Sequence, residues 1–331
     1  MQFDFEELEA VETGCWKCRR RDQSLCRVQR FSDESEAGFR LASDRIQVEN
    51  EYLAKIEDVV RKGNDTELRT KWYGHTLRWH LGSDPHFSQL AALNTLACGL
   101  KGIAALHSYG LIHGCIQPSS LWVDVSGNGV LAGFWTTSEQ SSSASLFQDK
   151  NSLEEPAGDI YALGKVANWI LVKIEISEEE RGLEYFERAL TEFESIACSE
   201  DPRNRDIRAL WRLLRDAIHR EMLREEAVFY ADKFPNRSQL YLTLRQHYES
   251  AAQPSSSLDH THAYDYSLHF LKSATVYQSQ KLYDLADYCY TCCLLASNFL
   301  KIEAHAKKVC KIAQDNRDEM RSRVDAQLGL A

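Results

Sequence analysis

The chain has 331 residues, 44% of them hydrophobic, with only 16 glycines and 6 prolines, enough to bury a sizeable core in a two-part domain with a small appendage. Its 49 acidic residues against 39 basic ones leave a formal charge of −10, which excludes the broad basic footprint of a general nucleic-acid binder. The acidic start MQFDFEELEAVE has no apolar signal segment, and no apolar run reaches the ~18 residues of a membrane span, so the ten cysteines are expected as thiols in a reducing, cytoplasmic setting.

Residues 4 to 31 read as two or three short strands joined by turns. Lys17, Arg19, Arg20 and Arg21 form a local basic run, expected as a solvated turn. Cys15-x-x-Cys18, with Cys26 as a third candidate, is half of a zinc site; no second pair follows at finger spacing, so no metal is expected. Residues 40 to 62 carry Ile46, Val48, Tyr52, Leu53, Ile56 and Val59 near helical spacing, which predicts a helix stopped by Gly63-Asn64. Residues 66 to 81 are rich in β-formers and aromatics and supply strands. A second helix is predicted over 87 to 109.

The stretch LIHGCIQPSSLWVDVSGNGVLAGFW, 111 to 135, follows, then the Ser-rich segment TTSEQSSSASLFQDKNSLEEPA. Gly158-Asp159-Ile160-Tyr161-Ala162-Leu163-Gly164 opens a helix to about Lys173, and 178 to 198 and 206 to 230 are amphipathic helices. A turn is expected at Pro235-Asn236-Arg237-Ser238 and a linker at 251 to 259, after which 262 to 325 reads as helix throughout. There the phrase Ala274-x-x-Tyr277, then Tyr283-x-x-Ala286-x-x-Cys289-Tyr290, resembles a tetratricopeptide hairpin or a microtubule-interacting-and-transport bundle.

The central stretch resembles the catalytic and metal-binding loops of protein kinases. His113-Gly114-Cys115-Ile116-Gln117-Pro118-Ser119-Ser120 stands where the family has H-R-D-L-K-P-x-N, and Gly133-Phe134-Trp135 where it has D-F-G. Gly99-Leu100, Leu106-His107 and Gly110 match the helix that leads into that loop, and the phrase from Gly158 to Gly164 matches the helix behind it. The opening F-E-E-L wording is similar to kinases that phosphorylate translation initiation factor 2, with Gly14 alone surviving from the glycine-rich loop. The resemblance implies an α+β, two-lobed kinase-like fold with a shortened small lobe (1–82), a helical large lobe (83–250), a linker (251–260) and a C-terminal helical bundle (261–331).

It also implies lost chemistry. Phosphoryl transfer depends on positioning and on neutralising developing negative charge. The phosphate-binding lysine falls on Gln29, the base on Cys115, a second lysine on Gln117, and the magnesium ligands on Ser120 and Gly133. Ser120 is a poor lone magnesium ligand, and Cys115 a poor base. Residues that hold shape remain: Leu53, His113 and Phe134 match an apolar spine, and Pro118 fixes the loop turn. Asp159 and Gly164 lie on the helix behind the loop, and Arg237 matches the turn near the lobe's end. Glu49 matches the ion-pairing glutamate, which Gln29 leaves without a lysine partner; it is expected as a solvent-facing helix residue. The resulting expectation is a catalytically inactive pseudokinase, a scaffold or allosteric regulator without cofactor or metal. Its partner would be a protein, an active kinase among the candidates, and neither nucleic acid nor membrane. The alternatives are a divergent kinase-fold enzyme with non-standard nucleotide transfer and a helical repeat-type adaptor. A lone hairpin cannot bury the large apolar and aromatic residues of 262 to 325, so they are expected either to form a docking surface for a partner or to seal the bundle against the large lobe.

Overall fold

The structure, a computed structural model, describes residues 5–12, 15–32, 37–134, 146–149, 155–174, 183–232, 235–250, 260–297 and 303–327. Gly14, Trp135, most of the Ser-rich segment and nearly all of the expected linker lie outside them. The chain is α+β, an N-terminal antiparallel sheet followed by a helical region, and forms two compact units, Met1–Arg215 and Asp216–Ala331.

The first unit opens with β1 (Phe5–Glu12), β2 (Cys15–Arg20) and β3 (Leu25–Ser32), followed by the short helix α1 (Ala37–Asp44). The hairpin of β4 (Ile56–Lys62) and β5 (Asp65–Lys71) completes a five-stranded sheet in the order β1-β2-β3-β5-β4. Alternation along β2 and β3 gathers Cys18, Cys26 and Val28 on one face, with Trp16 packed against them. Cys18 pairs with Cys26 across the strands whereas Cys15 pairs with Gln29, so the C-x-x-C spacing does not bring its two thiols to one face. Burial, with the nearby Cys26 thiol, pushes the Cys18 thiol up to about 12. The basic run is matched by carboxylates: Lys17 with Glu9, Arg19 with Glu6 and Arg20 with Glu57.

The helix predicted over 40 to 62 is corrected. Only Ala37–Asp44 is helical, and 56–62 is strand. Gly63-Asn64 is the two-residue loop of a hairpin in which Lys62 pairs with Asp65. Gly63 has φ +64°, the left-handed value that such a tight turn demands at its first central position. The sheet has five strands, and the helix beside it eight residues.

Beyond the sheet come β6 (His75–Thr76), α2 (Leu77–Ser83), α3 (Gln89–Ser108), β7 (Leu121–Val123) and β8 (Gly129–Leu131). Strands β6, β7 and β8 form a second, antiparallel sheet. Thr76 and Ser88 cap α2 and α3 by accepting the amides of Trp79 and Ala91. Helix α3 is the one described helix long and apolar enough to cross a membrane, and 78% of that stretch is packed inside the protein. Helices α4 (Pro156–Lys173) and α5 (Leu183–Ala197) follow, then α6 (Ile207–Tyr230).

In the second unit, the C-terminal half of α6 and α7 (Pro235–Ser250) share a core with α8 (His260–Ser279), α9 (Tyr283–Ser297) and α10 (Glu303–Gln327). Leu223, Leu240, Tyr241 and Leu244 pack there with Phe270, Tyr288, Tyr290 and Cys292. The division at 215/216 therefore falls inside α6, ahead of the boundary read at 251–260. The aromatic residues expected at a docking surface mostly serve this core. Phe270, Tyr288 and Tyr290 are buried; Tyr266, Leu271, Tyr277 and Tyr283 pack against them; Tyr264 is exposed; Phe299 lies outside the described residues.

Candidate functional site

The loop between α3 and β7 is shaped by one carboxylate. Asp159, in the first turn of α4 and 1% exposed, accepts the backbone amides of His113 (2.9 Å) and Gly114 (2.8 Å). It also accepts Nε2 of His107 at 2.8 Å. Burial pushes this carboxyl up, but the His107 hydrogen bond, the neighbouring His113 and the two amides outweigh it and leave the group below its ordinary value. Asp159 is thus a charged acceptor saturated by its own chain.

His113 is 4% exposed and bridges two stretches. Its Nε2 lies 2.9 Å from the Ala132 carbonyl, and its Nδ1 accepts the Cys115 amide at 3.3 Å. These partners assign the proton to Nε2. Burial pushes the imidazole below its ordinary value, so the ring is a neutral strut rather than a proton carrier.

Cys115 is buried, and burial followed by the charge of Asp159 pushes its thiol up. It is not poised as a thiolate nucleophile. Pro118 opens a one-turn 3-10 helix, Pro118–Ser120, and Gln117 stands half-buried at its start. The Ser120 hydroxyl is spent locally, accepting the Gln117 amide (3.3 Å) and donating to the Cys115 carbonyl (3.2 Å). Gly133 has φ +88°, where a side chain is strained; a Cβ there would stand 3.7 Å from Ser120 Oγ and 3.8 Å from the His113 ring. Phe134 is fully buried. The structure thus brings His113, Cys115, Ser120, Gly133 and Asp159 together, and none of the first four carries a negative charge to hold a metal.

The remaining predicted positions stand elsewhere. Gln29 lies half-buried in β3, opposite Cys15 on one side and Leu68 on the other. Glu49 is exposed, as expected, but follows α1 in a loop instead of standing on a helix, and its side chain pairs with Lys55. Leu53 is buried and bridges Leu131; the Ala54 amide reaches the Leu131 carbonyl at 2.9 Å. Gly164 sits where α4 meets α5: an added Cβ would come 2.7 Å from Ala197 Cβ.

Arg237 belongs to helix α7 rather than a turn, and its side chain lies outside the described residues. A residue passed over in the sequence has a structural role instead. Arg205 is buried and reaches Asp149 (2.7 Å), the Ala157 carbonyl (3.1 Å) and the Ser199 carbonyl (3.0 Å). It ties the residues before α4 to the start of α4 and the end of α5.

A scan against protein-family models finds no match to this chain, and no curated protein matches it.

Proposed function

We propose that the first unit is a protein-kinase-like domain without phosphotransfer chemistry, working as a scaffold or allosteric regulator of a protein partner, an active kinase among the candidates. One observation carries this reading. Asp159 holds the amides of His113 and Gly114 in a buried, fully engaged arrangement, while Gln29, Cys115, Gln117, Ser120 and Gly133 put no charge at the matching chemical positions. The loop is built for shape. Phosphoryl transfer requires charge at the reacting phosphate, and this chain supplies none at those positions. The α+β order, an N-terminal antiparallel sheet followed by helices, is compatible with this reading. A cytoplasmic location belongs to the same proposal, on the ten free thiols.

The test is thermal melting of the full chain with millimolar ATP and Mg²⁺. A ligand at 100 times its Kd stabilises by about 2.7 kcal/mol. The expected outcome is an unchanged melting temperature; a reproducible, Mg²⁺-dependent rise overturns the proposal.

A further inference from the structure

Arg27, in the middle of β3, is 1% exposed and is the largest fully buried side chain among the described residues. Strand alternation puts Cys26 and Val28 on the apolar face of the sheet, so Arg27 and Gln29 share the opposite face. There the Arg27 guanidinium lies 3.8 Å over the ring of Trp122, in β7 of the second sheet, and 5.5 Å from the ring of Trp72. Trp122 is itself fixed: its indole N–H donates to the Ser119 carbonyl at 3.2 Å, and its backbone pairs with Thr76 and Val130. A planar cation seated on an aromatic face, away from water, is strongly held, and lysine does not reproduce that stack.

We propose that Arg27 is an internal occupant that locks the five-stranded sheet to the β6-β7-β8 sheet, filling from within the space a ligand would take. The lock stands on the Arg27–Trp122 geometry alone. Its reading as the substitute for a nucleotide rests on the proposed kinase-like function, because Gln29, one step along the same face, is the position matched to the phosphate-binding lysine. On this view the unit holds one fixed arrangement without any nucleotide.

Hydrogen exchange on the full chain tests it, with unit two as the internal control. Arg27→Ala should exchange the amides of β6, β7 and β8 at least tenfold faster, leaving 283–297 unchanged. Millimolar ethylguanidinium should restore protection in Arg27→Ala and have no effect on the parent. Parental protection in Arg27→Ala overturns the lock. Should that variant not fold, Arg27→Lys decides: partial loss of protection in the same strands supports the stack, and full parental protection overturns it. ATP–Mg²⁺ binding by the parent would sink the kinase-like reading while leaving the lock standing. A silent parent with unaltered Arg27→Ala would sink the lock alone.

Discussion

Asp159 accepts three hydrogen bonds at the loop it holds. Asp159→Ala strands the amides of His113 and Gly114 and the His107 nitrogen. A buried group left unsatisfied costs about 1–3 kcal/mol; the His113 hydrogen bond is buried and the other two are half-buried, so the variant should lose at least ~2 kcal/mol in urea denaturation. Cys115→Ala removes only a buried, non-ionised sulfur and should cost no more than about 1.5 kcal/mol, as small buried truncations do. Equal losses for the two variants would remove Asp159 from its role as the loop's anchor. At this scale the sequence was most legible where a phrase fixes both neighbours and spacing, as around Asp159 and His113. It was least legible at Arg205, whose partner Asp149 is 56 residues away and leaves no local pattern.

Among the elements, the β4–β5 hairpin is the one that periodicity misread. Ile56 and Val59 fit a helical stripe as well as a strand, and a short apolar run does not decide between them. The Gly63-Asn64 pair, taken as a helix stop, was the deciding turn signal. The hairpin carries a buried charge that can be tested. Glu67 of β5, 1% exposed, meets Arg69 (2.7 Å), Lys62 (2.9 Å) and Arg30 (3.0 Å). Burial pushes its carboxyl up, but the hydrogen bonds from Arg69, Lys62 and Arg30 take it down to about 2, from an ordinary 4.5. A lowered carboxyl adds stability that is complete above the ordinary value and disappears as pH falls through the lowered one. The parent should therefore lose stability between pH 4.5 and about 2. Glu67→Gln should lose less across that interval in acid titration of the melting temperature; parallel curves would discount the cluster.

For the whole molecule, composition marked the Ser-rich break at 251–259, but a break in composition is not a break in the core. Leu223, Leu240, Tyr241 and Leu244 lie before it, and their partners Phe270, Tyr288 and Cys292 after it. Those contacts join distant residues, so no local window reveals them. A chain ended at residue 250 should therefore expose an apolar face, bind a hydrophobic dye and self-associate on size exclusion. A monomeric 1–250 chain with no dye binding would mean that α6 and α7 do not depend on the last three helices. The same core shows where most of the aromatic residues of 262 to 325 are placed. A lone hairpin could not bury them, but α6 and α7 complete their enclosure.

The reach between Asp159 and the loop it holds also bears on the order of folding. The carboxylate stands 45 residues downstream of Gly114, and closing a flexible loop of that size costs ~3 kcal/mol of chain entropy, apart from a constant. We therefore expect the His113–Gly114 loop to reach its final shape only after α4 has docked, late on the folding path. Late contacts are made after the transition state, and weakening them acts on escape from the native basin. Asp159→Asn should accordingly speed unfolding in stopped-flow chevrons and leave the refolding arm close to the parent's. A slowed refolding arm would place the docking of α4 in the nucleus instead.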